Sequence, residues 1–274
     1  MTNNFTVKTE DLDTSKQTTK TKIIDSRWYL TNINKGKKEY SEGHIPGAIF
    51  LDIERFSKQN AFLPHTMLSE SEFEKEVRKL GIQNSDEIIV YDQNGFFSSS
   101  RVWFMFKLYG HKNIKILDGG FKKWKENNSP SVIIPQNSSS KYKANFQKEM
   151  MIDKEYLKKL LLNSNIQVID ARPRLRFEGK EPEPRKNVRS GHIPGSINIP
   201  YTSLVTNSGQ LKKKKKLKEI FDKQSLFKNQ KIICMCGSGI TACNIIFVLN
   251  VLGYNDVLLY DGSWSDWGLI EKKN

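Results

Sequence analysis

The stretch KIICMCGSGITACNIIF, Lys231–Phe247, sets the interpretation of this chain. Residues Ile232–Met235 are typical of a short buried strand, and the apolar run from Thr241 onward predicts a helix. Cys236 and a tight Gly-Ser-Gly turn stand between them. The stretch therefore predicts an α/β fold in which Cys236 lies at the carboxyl end of a strand, where ligands of such folds bind.

A cysteine at this position is expected to have a reactive thiol. The first backbone N–H groups of a helix have no intrahelical partner, and the helix dipole adds positive charge there. Gly237 and Gly239 allow φ values that turn successive amides inward, which forms an anion-binding concavity. A thiol in such a place is expected to ionise readily. Cys236 is therefore the candidate nucleophile.

Two other interpretations of the loop remain open. A free cysteine is commonly a small buried apolar residue. A phosphate-binding loop is disfavoured, because the pattern G-x-x-x-x-G-K-[ST] is absent and no lysine follows the Gly-Ser-Gly turn.

The composition indicates a soluble globular protein whose 274 residues favour two domains. Three cysteines lie within ten residues, which disfavours a disulfide framework and favours a reducing compartment. The four histidines are far from them, so we expect no metal site. The amino terminus has no apolar signal region and no arginine, and no apolar run reaches membrane-spanning length. We expect a cytoplasmic protein that does not bind membranes.

The formal charge of +14 raises the possibility of nucleic-acid binding. However, only nine of the 44 basic residues are arginines, and the lysines are spread along the chain. The run Lys212–Lys216 is typical of a solvated surface. We expect no nucleic-acid partner, although the charge can attract anionic substrates.

The chain repeats itself. The segment IIDSR from Ile23 matches VIDAR from Val168, and GHIPGAI from Gly43 matches GHIPGSI from Gly191. LDGGFKKW, which ends at Trp124, matches YDGSWSDW at the chain's end. Each half shows the same alternation of strands and helices, which predicts two mainly parallel sheets with helices on both faces. We place the domains at residues 1–126 and 151–274, with a linker at 127–150 that is rich in proline and serine.

The repeat also supplies an internal comparison. The first half has EIIVYDQNG where the second has KIICMCGSG, so Asp92 stands at the position of Cys236. An aspartate cannot carry sulfur. We therefore expect one half to perform the chemistry and the other to serve as scaffold.

The doubled GHIPG, the loop CGSGITAC, the segment RFEGKEPEPR and the ending YDGSWSDWG resemble the two-domain rhodanese-type sulfurtransferases. The resemblance runs from about Ile23 to Gly268. It implies two tandem rhodanese-like domains, no cofactor, and a persulfide enzyme whose active cysteine lies in the second domain. The loop is similar to that of the enzymes that use 3-mercaptopyruvate, whereas thiosulfate-specific rhodaneses carry C-R-K-G-V-T.

The resemblance also implies roles for single residues. Arg176 and Arg185 would hold the carboxylate and keto oxygen of a small sulfur donor, as their planar forks allow. His44 is a possible auxiliary residue, although its occurrence in a motif shared by both halves favours a turn-stabilising role. The persulfide loop comprises Gly237, Ser238, Gly239, Ile240 and Thr241.

The function expected from the sequence is transfer of sulfur from 3-mercaptopyruvate through Cys236 to a thiol acceptor, such as a thioredoxin or a small thiol. Thiosulfate as the principal donor is the nearest alternative. A cysteine phosphatase needs an arginine six residues after its cysteine, but Ala242 stands there. A catalytically silent sulfur-binding or scaffold protein is the alternative outside the enzymes.

Overall fold

The computed structural model describes residues 5–12, 14, 20–59, 62–162, 165–224, 226 and 230–270. Their packing divides them into two compact units. The first takes described residues from 1–59, 67–147 and 205–211, and the second takes those from 60–66, 148–204 and 212–274. Most of the segment predicted as a linker, 127–150, thus packs with the first unit.

The first unit is built on a parallel sheet. Within the described residues its strands are β1 (Thr6–Lys8), β2 (Thr21–Asp25), β3 (Ile49–Phe50), β4 (Glu87–Tyr91) and β5 (Ile114–Asp118). Its helices are α1 (Lys35–Glu42), α2 (Glu70–Lys79), α3 (Ser99–Leu108) and α4 (Gly120–Lys125). The strand order is β1-β5-β4-β2-β3, and every pairing is parallel.

The second unit repeats this arrangement. Its described strands are β6 (Met151–Ile152), β7 (Ile166–Asp170), β8 (Ile197–Asn198), β9 (Lys231–Met235) and β10 (Val257–Tyr260). Its helices are α5 (Lys154–Leu160), α6 (Arg174–Phe177), α7 (Lys214–Asp222), α8 (Ala242–Leu252) and α9 (Ser263–Trp267). The order β6-β10-β9-β7-β8, again parallel throughout, matches that of the first unit strand for strand.

The central strands are covered on both faces. In β4 and in β9 the four residues after the first are all buried, although successive side chains point to opposite sides of the sheet. Continuous apolar runs are what a doubly covered parallel sheet requires. The predicted fold, two α/β domains with mainly parallel sheets, is therefore confirmed.

The helix that follows each central strand is buried almost all round. Nine residues of α8 are buried, and so are nine of the ten residues of α3. A helix with almost no solvent-exposed face lies inside the protein. The start of each helix is consequently fixed by core packing, which also fixes the loop that precedes it.

The repeated GHIPG motif forms the same tight turn in both units. The N–H of Ala48 donates to the carbonyl of Ile45, and Ser196 bonds to Ile193 in the same way. Gly47 has a φ of 73° and its counterpart in the second unit a φ of 77°. Proline followed by a glycine of positive φ is the signature of a type II turn, which explains why the motif contains Pro-Gly.

The strand order also determines where a site can lie. From β7 the chain passes to β8 on one side and to β9 on the other, so the order reverses between β7 and β9. The carboxyl ends of these strands are tied together by the N–H of Ala171, which donates to the carbonyl of Met235 at 2.8 Å. Open parallel sheets bind ligands in the crevice at such a reversal. Cys236 is the next residue after Met235.

The edge strands β1 and β6 were not predicted. They contain three and two residues, too few for an alternating or continuous apolar pattern to be visible. In the described part of the chain, no helix is both long enough and apolar enough to cross a membrane.

Candidate active site

Cys236 lies between β9 and α8, as the sequence pattern predicts. The residue is 3% exposed. The turn Gly237–Thr241 separates it from the first residue of the helix, and Thr241 is the N-cap. Cys236 thus lies in the segment that leads into the first turn of α8, whose N–H groups have no partner within the helix.

The two glycines of this turn serve different purposes. Gly239 has a φ of 81°, a conformation that favours glycine, and its carbonyl accepts a hydrogen bond from the Cys243 thiol at 3.2 Å. Gly237 lies outside that left-handed region. The expectation that both glycines supply backbone freedom therefore holds for Gly239 alone, and Gly237 instead leaves space for neighbouring groups.

That space is occupied by two guanidinium groups. A Cβ atom built on Gly237 would lie 3.2 Å from Nη2 of Arg176 and 3.5 Å from Nη1 of Arg185. The structure thus brings together the two arginines singled out in the sequence and sets both beside the residue that follows Cys236. Their positive charges and planar forks suit a small carboxylate or keto acid.

Glu183, which the sequence analysis did not identify, holds Arg176 in place. Its carboxylate accepts from Nε and Nη2 of Arg176 and, at 2.7 Å, from Nη1 of Arg172. The Glu183 side chain is 3% exposed. A carboxylate between two guanidinium groups is stabilised by both, and it restricts the rotamers open to Arg176.

Arg172, close to these arginines in the sequence, has a structural role. Its guanidinium forms a buried ion pair with Asp170 at the end of β7 and stacks 4.4 Å from the ring centre of Trp264. In the first unit Arg27 pairs with Asp25 and stacks on Phe121 at the same 4.4 Å. Because both units contain this arrangement, it belongs to the fold.

A histidine that the sequence analysis missed contacts the loop. Nδ1 of His65 lies 2.8 Å from Oγ of Ser238, and the two residues are 6% and 5% exposed. Nη2 of Arg185 also donates to this oxygen, at 3.2 Å. The three side chains form a connected polar group two residues from Cys236. His65 belongs to no motif and lies 173 positions from Ser238, so no local pattern pointed to this contact.

His44, the predicted possible auxiliary, has a different environment. Its ring nitrogens lie 2.8 and 3.0 Å from the carbonyls of Tyr40 and Ile133. His192 in the second GHIPG motif contacts the carbonyl of Phe177 in the same way, and each ring stacks on an aromatic neighbour with centroids 4.1 Å apart. These contacts agree with the turn-stabilising role favoured for both histidines.

The loop of the first unit contains an internal anion. The Asp92 carboxylate accepts hydrogen bonds from the N–H groups of Asn94, Gly95, Phe97 and Ser99, at 2.6–3.0 Å. Burial raises the pKa of Asp92, and the amide hydrogen bonds act in the opposite direction. The backbone between this strand and helix is therefore shaped to surround a negatively charged group, as expected of the matching loop at Cys236.

The other two cysteines, Cys234 and Cys243, are buried and are not in a disulfide. Burial raises the pKa of the Cys234 thiol well above its ordinary value, and the nearby sulfurs of Cys243 and Cys236 add to the effect. A neutral buried thiol is a poor nucleophile. Cys234 is therefore a poor candidate nucleophile, and the Cys243 thiol is hydrogen-bonded to the carbonyl of Gly239. Cys236 remains the candidate. Among the described residues, no group of three or more histidine, cysteine or acidic side chains could hold a metal.

Known proteins are similar to this chain in sequence and in fold. The chain matches the Rhodanese-like domain twice, over residues 8–127 and 153–269. It is 36% identical over 255 residues to 3-mercaptopyruvate sulfurtransferase of Mus musculus, covering 90% of this chain and 84% of that protein. It is 34% identical over 250 residues to thiosulfate sulfurtransferase of Rattus norvegicus, with coverage of 90% and 84%.

The structural comparison agrees. SseA from Escherichia coli, described as a 3-mercaptopyruvate sulfotransferase with the rhodanese fold, superposes with a TM-score of 0.86 at 32% identity. The superposition covers 95% of this chain and 99% of that one. These relatives include proteins named for either sulfur donor, 3-mercaptopyruvate or thiosulfate. This chain, with two matched domains and a cysteine loop at the carboxyl edge of the second sheet, belongs to the rhodanese family of sulfurtransferases.

Proposed function

We propose that this protein transfers the sulfur of 3-mercaptopyruvate, through a persulfide on Cys236, to a thiol acceptor. The observation that carries the proposal is the pair of guanidinium groups, Arg176 and Arg185, beside the bare backbone of Gly237. 3-Mercaptopyruvate has a carboxylate and a keto oxygen at one end and a thiol at the other. Two forked cations can bind the first end while the thiol faces the cysteine.

The chemistry is a double displacement. The Cys236 thiolate attacks the donor sulfur, an S–S bond forms, and the C–S bond breaks. The electron pair of the broken bond passes to carbon, so pyruvate leaves as its enolate and then takes up a proton. An acceptor thiolate, or cyanide in an assay, removes the outer sulfur and restores Cys236.

The loop supplies electrostatic stabilisation for both anions of Cys236, the thiolate and the persulfide. Its counterpart in the first unit surrounds the Asp92 carboxylate with four amide N–H groups, which supports the same use of the turn in the second unit. Fixed N–H donors in a site that excludes water stabilise developing negative charge strongly.

The Ser238 hydroxyl is placed to handle a proton. Arginine is only a donor, so the Ser238 oxygen accepts from Arg185 and its own hydrogen is available to His65 or to the substrate. We assign to Ser238 and His65 the delivery of a proton to the departing pyruvate. A buried hydroxyl bonded to an imidazole is a usual arrangement for such a transfer.

The test is the mass of the intact protein after exposure to each donor. Wild-type protein with 3-mercaptopyruvate should gain one sulfur atom, about 32 Da, and Cys236→Ser should gain none while keeping its circular dichroism spectrum. Cys234→Val is the matched control, because it removes a buried cysteine at the position where β4 of the first unit has Val90, and it should still be loaded.

The competing functions give different results. Faster loading by thiosulfate than by 3-mercaptopyruvate would make the protein a thiosulfate sulfurtransferase in spite of its uncharged loop. Failure of both donors to load the intact protein would leave a binding or scaffold role.

A further inference from the structure

The turn that follows β10, at residues 263–265, is hydrogen-bonded to the backbone of Cys236 and Gly237. The N–H of Cys236 donates to Oγ of Ser263 at 3.2 Å. The carbonyl of Cys236 accepts from the N–H of Trp264 at 2.9 Å. The carbonyl of Gly237 accepts from both the N–H and the hydroxyl of Ser265, at 2.9 and 2.6 Å. Four hydrogen bonds thus fix two consecutive residues.

These bonds orient the next amides along the chain. In a planar trans peptide the C=O of one residue and the N–H of the next point in opposite directions. The carbonyls of Cys236 and Gly237 face the turn at 263–265, so the N–H groups of Gly237 and Ser238 face away from it. The turn after β10 therefore decides where the loop presents its donors.

The first unit shows what this orientation achieves. There the N–H of Phe121 donates to the carbonyl of Asp92, and the N–H of Lys122 donates to that of Gln93. The following N–H, that of Asn94, points to the Asp92 carboxylate at 3.0 Å. Asn94 corresponds to Ser238 in the second unit. In the first unit, the two main-chain bonds that match those of Trp264 and Ser265 are thus followed by an N–H that points at the Asp92 carboxylate.

The second unit adds two hydroxyl groups that the first unit lacks. Ser263 corresponds to Gly120, and both have positive φ, at 50° and 60°. A Cβ on Gly120 would lie 2.4 Å from the nitrogen of Gly95 and 2.6 Å from the carbonyl oxygen of Asp92, so no side chain fits there. The unit with the cysteine accommodates a serine at this strained position. Its hydroxyl accepts the N–H of Cys236 and donates to the carbonyl of Tyr260 at 2.8 Å.

We propose that Ser263 is a positioning residue that aims the Cys236 side chain into the amide concavity of the loop, with Ser265 as a second anchor through Gly237. The hydroxyl of Ser263 holds the N–H of Cys236, and the N–H of Trp264 holds its carbonyl. With both main-chain groups held, the direction of the Cα–Cβ bond of Cys236 is fixed. The inference rests on the proposed function only in taking Cys236 as the nucleophile.

The test removes the hydroxyl in two ways. Ser263→Gly suits the positive φ and relieves strain, whereas Ser263→Ala keeps the strained Cβ. We expect both to slow alkylation of Cys236 by iodoacetamide at pH 7 by about tenfold, because a small misdirection of a reacting group is costly. The melting temperature should rise or stay constant in Ser263→Gly and fall in Ser263→Ala.

If Ser263→Gly and Ser263→Ala have equal alkylation rates but different melting temperatures, the loss of rate comes from the missing hydroxyl and not from lower stability. Ser265→Ala should give a smaller loss of rate, because its N–H still binds Gly237. Ser26→Ala is the matched control: the Ser26 hydroxyl is buried and bonds to the carbonyl of Tyr91, and the corresponding residue of the second unit is Ala171. It should leave the alkylation rate unchanged.

The outcomes distinguish this inference from the proposed function. Alkylation needs no sulfur donor, so it tests the positioning role separately from the proposed function. If neither donor loads the wild-type protein but the wild type is alkylated faster than both Ser263 variants, the proposed sulfur transfer is refuted and the positioning role is supported. Wild-type alkylation rates in Ser263→Gly and Ser263→Ala would overturn the positioning role, whatever the donor.

Discussion

Gly237 illustrates how much a single residue determines in this site. The guanidinium groups of Arg176 and Arg185 stand where a side chain at 237 would begin. Arg176 has little freedom to move aside, because Glu183 holds it through Nε and Nη2. In the proposed function these two arginines bind the anionic end of the donor, and a basic residue at 237 would compete with them for space and charge.

Gly237→Arg tests this account of donor choice. We expect kcat/KM for 3-mercaptopyruvate to fall by about tenfold or more, since the new side chain crowds and repels both arginines. Gly237→Ala should give a smaller loss in the same direction. Steady-state kinetics with both donors would check this, and an unchanged kcat/KM in Gly237→Arg would contradict it.

His65 and Ser238 form the second arrangement at the residue scale. We expect His65→Ala to lower kcat for pyruvate release by roughly a hundredfold while changing KM little, as loss of a proton donor does. Ser238→Ala should behave alike. In the double variant the losses should not add, because the two residues act as one unit. Additive losses would show that the 2.8 Å contact has no role in turnover.

At the scale of elements, the same strand, loop and helix serve two purposes. In the first unit the loop after β4 closes on its own carboxylate, and its helix α3 begins at Ser99, whose N–H donates to Asp92. In the second unit the corresponding loop after β9 carries Cys236. One loop thus stabilises its domain, and the other has the role in sulfur transfer that we propose.

Asp92→Asn should therefore affect stability and leave the chemistry intact. The amide NH₂ would face main-chain N–H donors, so we expect the free energy of unfolding to fall by about 1–3 kcal/mol. Urea denaturation measures this, with Asn94→Ala as the control because the Asn94 side chain is exposed. Sulfur loading of Cys236 by 3-mercaptopyruvate should remain at the wild-type rate, and its loss would assign the loop of the first unit a role in the reaction.

At the scale of the whole molecule, the two apolar cores make the protein sensitive to alkali. Burial raises the pKa of the Cys234 thiol and of the Tyr91 hydroxyl well above their ordinary values, and that of Tyr40 to about 12. Below about pH 8.5 the Cys234 thiol is protonated whether the chain is folded or unfolded. Above that pH the unfolded chain releases the proton and the folded chain keeps it, so unfolding becomes more favourable.

We expect the free energy of unfolding to decrease from about pH 8.5 upward, by at most about 1.4 kcal/mol per pH unit for this thiol. The buried tyrosines should steepen the decrease above about pH 10. Cys234→Val should remove the first part of the decrease and keep the second, as urea denaturation at a series of pH values can show. An unaltered profile in Cys234→Val would refute the assignment to this thiol.

The sequence alone determined the fold class, because the strand, turn and helix of Lys231–Phe247 and the duplicated motifs are local patterns that recur in both halves. It also predicted Cys236, Arg176 and Arg185 as site residues, and both arginines lie beside Gly237, the residue after Cys236. The edge strands β1 and β6 were too short to leave a pattern in the sequence.

What the tertiary structure alone decided are the contacts between residues far apart in the chain. His65 reaches Ser238 across 173 positions, and Ser263 reaches Cys236 across 27. The reversal of strand order between β7 and β9 decides that the cysteine and the arginines share one crevice. Periodicity and motifs record which residues are buried and how the backbone turns, whereas these contacts depend on how the sheets are assembled, which no local pattern encodes.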